Sequence, residues 1–484
     1  MVGALPAAFG PTRIHLAPVV CYAPAVMAPI AKGHRVGMIS LGCAKNLVDS
    51  ELMLGELRRQ GHEIVQDLAA ADTVVINTCA FVEDAKQESI DAILEVAGRK
   101  GEAGVKRLLV AGCMVNRYGP ELQREIPEID GFVGLDGLRD VGKVVQIGGD
   151  APLPAPAHLV FDHTAPRLLT THGFAYLKVA EGCDNPCTFC AIPQWRGRFR
   201  SRTIPSLVEE ARALEAEGIQ ELVLIAQDTT RYGEDLGLGR HGLLRLVEAL
   251  LAGTSIAWIR FLYAYPTTLD EDLLTLMGGE PRFCSYLDIP LQHSHPEILR
   301  AMQRGGDGER YLRLLEKARE RVPGIFLRTT FIVGFPGETE EHFAHLLDFV
   351  ERARFDYLGG FVYSPEEGTP GAALTGRVAR GAARRRHERL LRAQEPIALE
   401  RRQALVGLRL QALVEGPCAE TEHLMQARHA GMAPEIDGRL LINDGLAPAG
   451  SLVEVEITDG FAHDLVGRIV GPVGVAGVVT APAE

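Results

Sequence analysis

Cys183, Cys187 and Cys190 stand in the run EGCDNPCTFC, spaced C-x3-C-x2-C, just after the strand-like stretch AYLKVA at 175–180. Three thiolates this close can grip three corners of an iron–sulfur cube. No fourth cysteine lies nearby to close the cluster. A cube held by three thiolates keeps one iron open to a small molecule. An open position marks a catalytic rather than a structural metal; the rule is framed for zinc, and its logic is the same here. The plainer alternative is structural zinc, which needs four protein ligands. The nearest candidates for the fourth are His163 and His172, upstream and in no finger spacing. A disulfide suits the run less. No secretory signal is evident, and Cys187 and Cys190 are too close to staple a long loop.

A second trio is spread along the N-terminal part of the chain. Cys43, Cys79 and Cys113 occur in SLGC, INTC and VAGC, 36 and 34 residues apart. Stretches 35–40, 73–77 and 107–111 read as strands, and 47–60, 84–97 and 120–126 as the helices that follow them. Such alternation implies a parallel sheet covered by helices, whose carboxyl strand ends line one crevice. Each cysteine falls at or just past one of those ends. Three residues distant in sequence are therefore expected to converge as a second three-thiolate metal site. A buried cysteine is otherwise a small hydrophobe, and Cys21, Cys284 and Cys418 are read as buried or incidental thiols.

The proline-rich stretch 148–168 reads as a linker. From 169 to 400 the pattern gives six more strand–helix units. Their strands are expected near 176–180, 221–226, 258–263, 286–290, 326–333 and 356–363. Six units suggest a partial (β/α) barrel with its site at the carboxyl strand ends. Gln227, Asp228, Gln292, His293, Gly334 and Glu338 lie there, and each could equally be a loop residue capping the next helix. Residues 377–402 carry nine arginines and three acidic residues and read as a helix interrupted near Pro396. That charge suits a solvated face as well as a binding patch. Beyond about 404, short strands at 408–414, 439–442 and 452–457, separated by turn residues, suggest a small β-barrel.

With 484 residues the chain has room for two or three domains, and 46% hydrophobic with 23% charged residues is an ordinary soluble balance. Nothing approaches a membrane span. Residues 1–33 are rich in Ala and Pro and read as a disordered leader rather than a signal peptide, with Met27 a second candidate start. Reduced, metal-carrying thiols place the chain in the cytoplasm. The net charge of −13 makes a poor generic binder of phosphate backbones. In 405–484 four arginines face eleven acidic residues, so the small barrel suits a basic partner and no strong nucleic-acid binding is expected.

C-x3-C-x2-C at the start of a partial barrel resembles the radical S-adenosylmethionine (SAM) superfamily. The upstream trio and the terminal barrel narrow the resemblance to the methylthiotransferases. Their order is an N-terminal methylthiotransferase domain, a radical-SAM core and a TRAM domain, here 34–147, 169–400 and 402–470. SLGCAKNLVDSE at 40–51, AYLKVAEGCD at 175–184, QDTTRYG at 227–233, YLDIPLQH at 286–293 and APEIDG at 433–438 resemble the RimO-type branch. That branch modifies an aspartate of the twelfth protein of the small ribosomal subunit. His295 departs slightly from the pattern, where a less bulky polar residue is expected.

The resemblance implies an α/β enzyme with two [4Fe–4S] clusters. Cys183, Cys187 and Cys190 hold the one that chelates SAM and cleaves it to a 5′-deoxyadenosyl radical, which takes hydrogen from the aspartate β-carbon. Cys43, Cys79 and Cys113 hold the other, which carries the sulfur that a second SAM methylates. It also implies a reducing partner such as flavodoxin or ferredoxin. No catalytic side chain is assigned. The sister branch, which modifies an adenosine of tRNA, and a zinc-stabilised adaptor with no enzymatic role are the alternatives.

Overall fold

The computed structural model describes residues 33–101, 104–150 and 161–472. The expected leader (bar Gly33), Cys21 and residues 151–160 of the expected linker lie outside the described residues. The chain divides into two compact units, Met1–Pro154 with Pro166–Thr170, and Ala155–Ala165 with Thr171–Glu484.

The first unit is a parallel sheet in the order β2-β1-β3-β4-β5, formed by β1 (Arg35–Ser40), β2 (Glu63–Ile64), β3 (Thr73–Thr78), β4 (Arg107–Gly112) and β5 (Gly131–Val133). α1 (Ala44–Arg59), α2 (Glu83–Gly98), α3 (Cys113–Glu125) and α4 (Val141–Ile147) join and cover these strands. Every residue of β3 is buried, as a central strand packed on both faces requires. The strand order reverses between β1 and β3. In doubly wound sheets that reversal opens a crevice at the carboxyl strand ends. Two-residue β2, short β5 and α4 are absent from the sequence reading. α3 begins at Cys113 rather than 120, because a first helical turn precedes a kink at Tyr118 and the helix resumes through Pro120.

The second unit holds two architectures. β6 (Phe174–Lys178), β9 (Glu221–Ile225), β10 (Trp258–Phe261), β11 (Tyr286–Asp288), β12 (Phe326–Val333) and β13 (Tyr357–Val362) are all parallel. They form two three-stranded sheets joined by a bridge between Ile259 and Phe283, giving the expected partial barrel. The short pair β7 (Ala180–Glu181) and β8 (Arg200–Ser201) brackets α5 (Ile192–Arg196) beside it. Around the barrel run α6 (Ile204–Ala216), α7 (Gly242–Gly253), α8 (Glu271–Gly279), α9 (Pro296–Ala301), α10 (Gly308–Arg321) and α11 (Glu340–Ala353). α11 shows why they form. Thr339 and His342 make a reciprocal capping box, Glu340 and Glu341 sit in the first turn, and Phe343, Leu346, Phe349, Val350 and Ala353 line one buried face.

α12 (Arg380–Gln403) runs on through Pro396 as one helix, so the expected interruption is not there. Three of its arginines are spent inside the fold, while Arg380, Arg384, Arg385, Arg389 and Arg392 stay exposed. Arg386 bonds Glu338, Arg402 lies 4.8 Å over the Tyr357 ring, and Arg401 meets Asp356 at 2.7 Å. A closed barrel follows, in the order β14-β15-β16-β18-β17, from β14 (Arg409–Cys418), β15 (Thr421–His429), β16 (Leu440–Asp444), β17 (Leu452–Gly460) and β18 (Leu465–Pro472).

The small barrel closes the floor of the large one. Inward residues near the amino ends of the parallel strands are polar. They meet the segment 428–437. Arg428 donates to Glu221 at 2.7 Å and also bonds Glu415, while Glu221 holds Arg260. Tyr286 donates to Asp437 at 2.7 Å, Arg328 joins Asp437 to Asp288, and Tyr176 donates to Glu435 at 2.8 Å. Glu221, Arg260, Asp288 and Asp437 have wholly buried side chains. Removing one partner of a buried pair leaves an uncompensated charge. Arg428→Met is therefore expected to cost roughly 3–5 kcal/mol, read by chemical denaturation; a loss under about 1 kcal/mol would contradict a dry floor.

Two histidines are buried neutral. Burial pushes His293 and His429 down to about 3, helped by neighbouring histidines at the first and by Arg260, Arg402 and Arg428 at the second. The unfolded chain takes up these protons near pH 6.5 and the folded chain does not until about pH 3. Stability is thus full above pH 6.5 and falls as pH drops through that window, by roughly tenfold in the folding constant per pH unit for each histidine. Urea titrations at stepped pH should show this limb, and His429→Gln should make it shallower.

Candidate functional site

In the first unit the three cysteines take the positions expected of them, at the carboxyl ends of β1, β3 and β4. Gly42 and Gly112, the residues before Cys43 and Cys113, have φ of +97° and +92°. A side chain at Gly112 would put Cβ 2.1 Å from Asn77 Oδ1, and one at Gly42 would come within 3.0 Å of the Cys79 sulfur. Each glycine lets its strand turn sharply enough to present the next cysteine. Asn46, in the first turn of α1, ties the ends together. Its Nδ2 donates to Leu41 O at 3.0 Å and Thr78 O at 2.8 Å, and its Oδ1 accepts from the Cys113 thiol at 3.5 Å. Cys79 N–H donates to Ser89 Oγ at 3.1 Å. Cys43 and Cys113 lie at the amino ends of α1 and α3. Cys43 is exposed, while Cys79 and Cys113 are buried. The rest of SLGCAKNLVDSE is bonded too. Ser50 donates to Ser40, and Glu51 takes Arg167 and both the N–H and hydroxyl of Thr170.

In the second unit the loop 181–200 leaves the first barrel strand and is closed at its base by β7 and β8. Gly182 has φ of +78°, and a Cβ there would lie 2.1 Å from Arg198 O. The loop is pinned from several sides. Glu181 accepts from Lys178, Arg196, Gln227 and Gly182 N–H. Burial pushes its carboxyl up, but Arg196 and Lys178 outweigh it and hold the group below the usual carboxylate range. Asn185 donates to Asp228 at 2.7 Å, and Thr230 donates to the other Asp228 oxygen at 2.6 Å. Burial raises the Asp228 carboxyl above its ordinary value. Thr188 donates to Met302 O at 3.1 Å and Ala301 O at 2.8 Å. Gln227 and Asp228, predicted only as strand-end polar residues, thus hold the metal-type loop rather than cap a helix.

The other strand-end residues divide. Thr339 rather than Glu338 caps α11, and His295 rather than His293 caps α9. Glu338 instead accepts from Gly334 N–H at 2.9 Å and Arg386 at 2.7 Å. Gln292 and Tyr263 carry φ of +70° and +65°, left-handed backbone at two carboxyl strand ends of the barrel. Glu181, Asn185, Thr188, Tyr265 and Arg304 escape the sequence reading. The first three could be found from their places beside the cysteines, whereas Tyr265 and Arg304 arrive only by folding.

The donor set fits an iron–sulfur cluster better than a single ion. All eight described cysteines are free. In neither trio do the three sulfurs all lie within 4.8 Å of one another, and no described histidine completes a compact ligand group with them. Tetrahedral zinc would need sulfurs about 3.8 Å apart at its ~2.3 Å bond length. His163 instead meets Ser206 at 3.2 Å. Burial pushes the Cys183 thiol up to about 11 and Cys190 to about 12, so binding a metal must displace their protons. Cys284 and Cys418 are buried thiols.

The partial barrel with a three-cysteine loop leaving its first strand defines a radical-SAM enzyme, a class that uses a [4Fe–4S] cluster and SAM. Residues 177–350 match the Radical SAM superfamily, 35–134 match Uncharacterized protein family UPF0004, and 406–470 match the TRAM domain. A solved radical S-adenosylmethionine methyltransferase, TsrM from Kitasatospora setae, shares the fold at a TM-score of 0.52 and 19% identity, over 70% of this chain and 77% of that one. Among curated relatives, the ribosomal protein uS12 methylthiotransferase RimO of Anaeromyxobacter sp. (strain K) is 49% identical over 90% of this chain and 93% of its own. Those of Myxococcus xanthus and Geobacter sulfurreducens are 47% and 44% identical, again over 90% of this chain, and 91% and 98% of their own. The chain belongs to the radical-SAM methylthiotransferase family, in the RimO branch. Among the described residues no helix is long and apolar enough to cross a membrane.

The placement of the first trio can be checked without metal. Thiol alkylation of metal-free protein should label Cys43 well before Cys79 and Cys113, and Gly112→Ala should speed labelling of Cys113. Equal rates in the parent chain would contradict this arrangement.

Proposed function

We propose that this enzyme methylthiolates the β-carbon of an aspartate in small-subunit ribosomal protein uS12. The observation that carries the reading is the 49% identity to a uS12 methylthiotransferase over nine-tenths of the chain. Cys183, Cys187 and Cys190 would hold the cluster that chelates SAM, and Cys43, Cys79 and Cys113 a second [4Fe–4S] cluster. When bound, these groups supply a 5′-deoxyadenosyl radical from one SAM, and a sulfur methylated by another.

The chain's own residues hold and shield. Glu181, Asn185 and Asp228 keep the cysteine loop in one shape, which fixes where a chelated ligand sits. The buried floor closes the far end of the barrel to water. The small barrel stays strongly acidic after the paired Arg428, Glu415 and Asp437 are set aside, because these three sum to only one negative charge. Such a surface favours a basic protein over RNA. A low-potential donor such as flavodoxin or ferredoxin would supply electrons, and the cytoplasm is the expected setting.

The test is the mass of uS12 from cells with and without this enzyme. A methylthio gain on one aspartate, lost on deletion, supports the proposal. An unchanged uS12 with loss of methylthio-adenosine from tRNA assigns the sister activity instead, and zinc without iron–sulfur absorption in anaerobically purified protein assigns an adaptor. Cys79→Ala is expected to keep SAM cleavage to 5′-deoxyadenosine while abolishing methylthio transfer; loss of both would mean that the two trios are not independent sites.

A further inference from the structure

The three sulfurs of the 181–200 loop have different donors. Cys183 accepts from the backbone N–H of Asn185 at 3.4 Å, and Cys190 from that of Ile192. Cys187 instead faces side chains. Arg304 Nη1 lies 3.7 Å from its sulfur, and the Tyr265 phenol is close enough to interact with the same group. The guanidinium lies 4.0 Å over the Tyr265 ring, and its Nη2 donates to Pro290 O at 2.5 Å. Arg304 is 9% exposed, and its Nε has no hydrogen-bond partner.

Of the other buried arginines of this unit, Arg260 and Arg428 meet Glu221 and Arg386 meets Glu338, whereas Arg402 lies over the Tyr357 ring with backbone carbonyls as partners. Among the described residues no carboxylate forms an ion pair with Arg304. A buried guanidinium is costly unless something negative stands against it. The Cys187 sulfur, bonded by Nη1, can become negative as a cluster-bound thiolate, and the Asp228 carboxylate also acts on the guanidinium from beyond hydrogen-bond reach.

We infer that Arg304 and Tyr265 form a donor clamp on Cys187 that raises the reduction potential of the cluster held by this loop. The inference rests on the proposed ligation by Cys183, Cys187 and Cys190. One-electron reduction adds a negative charge to the cluster. Hydrogen bonds to its thiolates and a fixed cation beside it stabilise the reduced form more than the oxidised one. The enclosed loop strengthens that effect, since burial weakens screening. Arg304 and Tyr265 are positioning residues here, distinct from the ligands.

The experiment is an EPR-monitored redox titration of cluster-loaded full-length protein, following the signal that shifts on adding SAM. Arg304→Gln is expected to lower the midpoint so that, at the wild-type midpoint, the reduced-to-oxidised ratio falls about tenfold, or ~59 mV for one electron. Arg304→Lys, which keeps the charge, should stay close to wild type, and Tyr265→Phe should shift the same way by less. An unshifted midpoint in Arg304→Gln with the SAM-responsive signal intact overturns the inference and leaves the proposed function standing. If Arg304→Gln takes up no cluster, Tyr265→Phe decides: a lowered midpoint supports the clamp and an unchanged one overturns it. If the wild-type protein itself shows no SAM-responsive cluster, the proposed function fails, and the clamp with it.

Discussion

The second unit depends on a charged floor. A six-stranded parallel sheet that does not close leaves its amino end exposed, and here Glu221, Arg260, Tyr286 and Arg328 face into that end. Left to water, such a cluster would keep the barrel wet. Arg428 and Asp437, brought by the small barrel, complete the pairs instead, and the side chains of Glu221 and Asp437 become wholly buried. A buried ionic cluster adds little net stability compared with apolar packing, but it tolerates few alternative arrangements. The geometry at the opposite end, where the cysteine loop sits, follows from strands whose positions are set at this one.

Much of this was legible from residue order alone. The strands stood out because buried parallel strands are runs of Val, Ile and Leu, and the cysteines because they recur at the same point of each strand–helix unit. The six barrel strands fall within a few residues of their expected places, and so do Cys43, Cys79 and Cys113. What escaped had weak local signals. β2 has two residues and β5 three, too few for a period. β15 and β18 mix polar residues with short apolar ones, since a small closed barrel buries only one face. Pro396 argued for a break, yet α12 is held along its length by Arg386, Gln394 and Arg402 against the barrel, and tertiary contacts override the local penalty.

Charge counting had a similar blind spot. The nine arginines of 377–402 form a run in sequence, but in three dimensions several neutralise Glu338, Glu340 and Asp356. The motif APEIDG entered only as a resemblance, whereas in the fold its Glu435 and Asp437 take the hydroxyls of Tyr176 and Tyr286 across more than 150 residues. Sequence shows how many charges there are; only the fold shows which of them remain for a partner.

The shared floor bears on how such enzymes can be recombined. A terminal module of 65 residues invites treatment as an exchangeable reading head. In this chain it is also half of an interlocking joint, since Arg428 and Asp437 must meet Glu221 and Arg328. Grafting a foreign module onto this barrel would need its counterparts of those two residues to match in sign and reach, or the recipient barrel re-cut to suit. The small barrel is therefore tied to the sequence of the large one, and changes to its outer face leave the joint intact where its replacement would not.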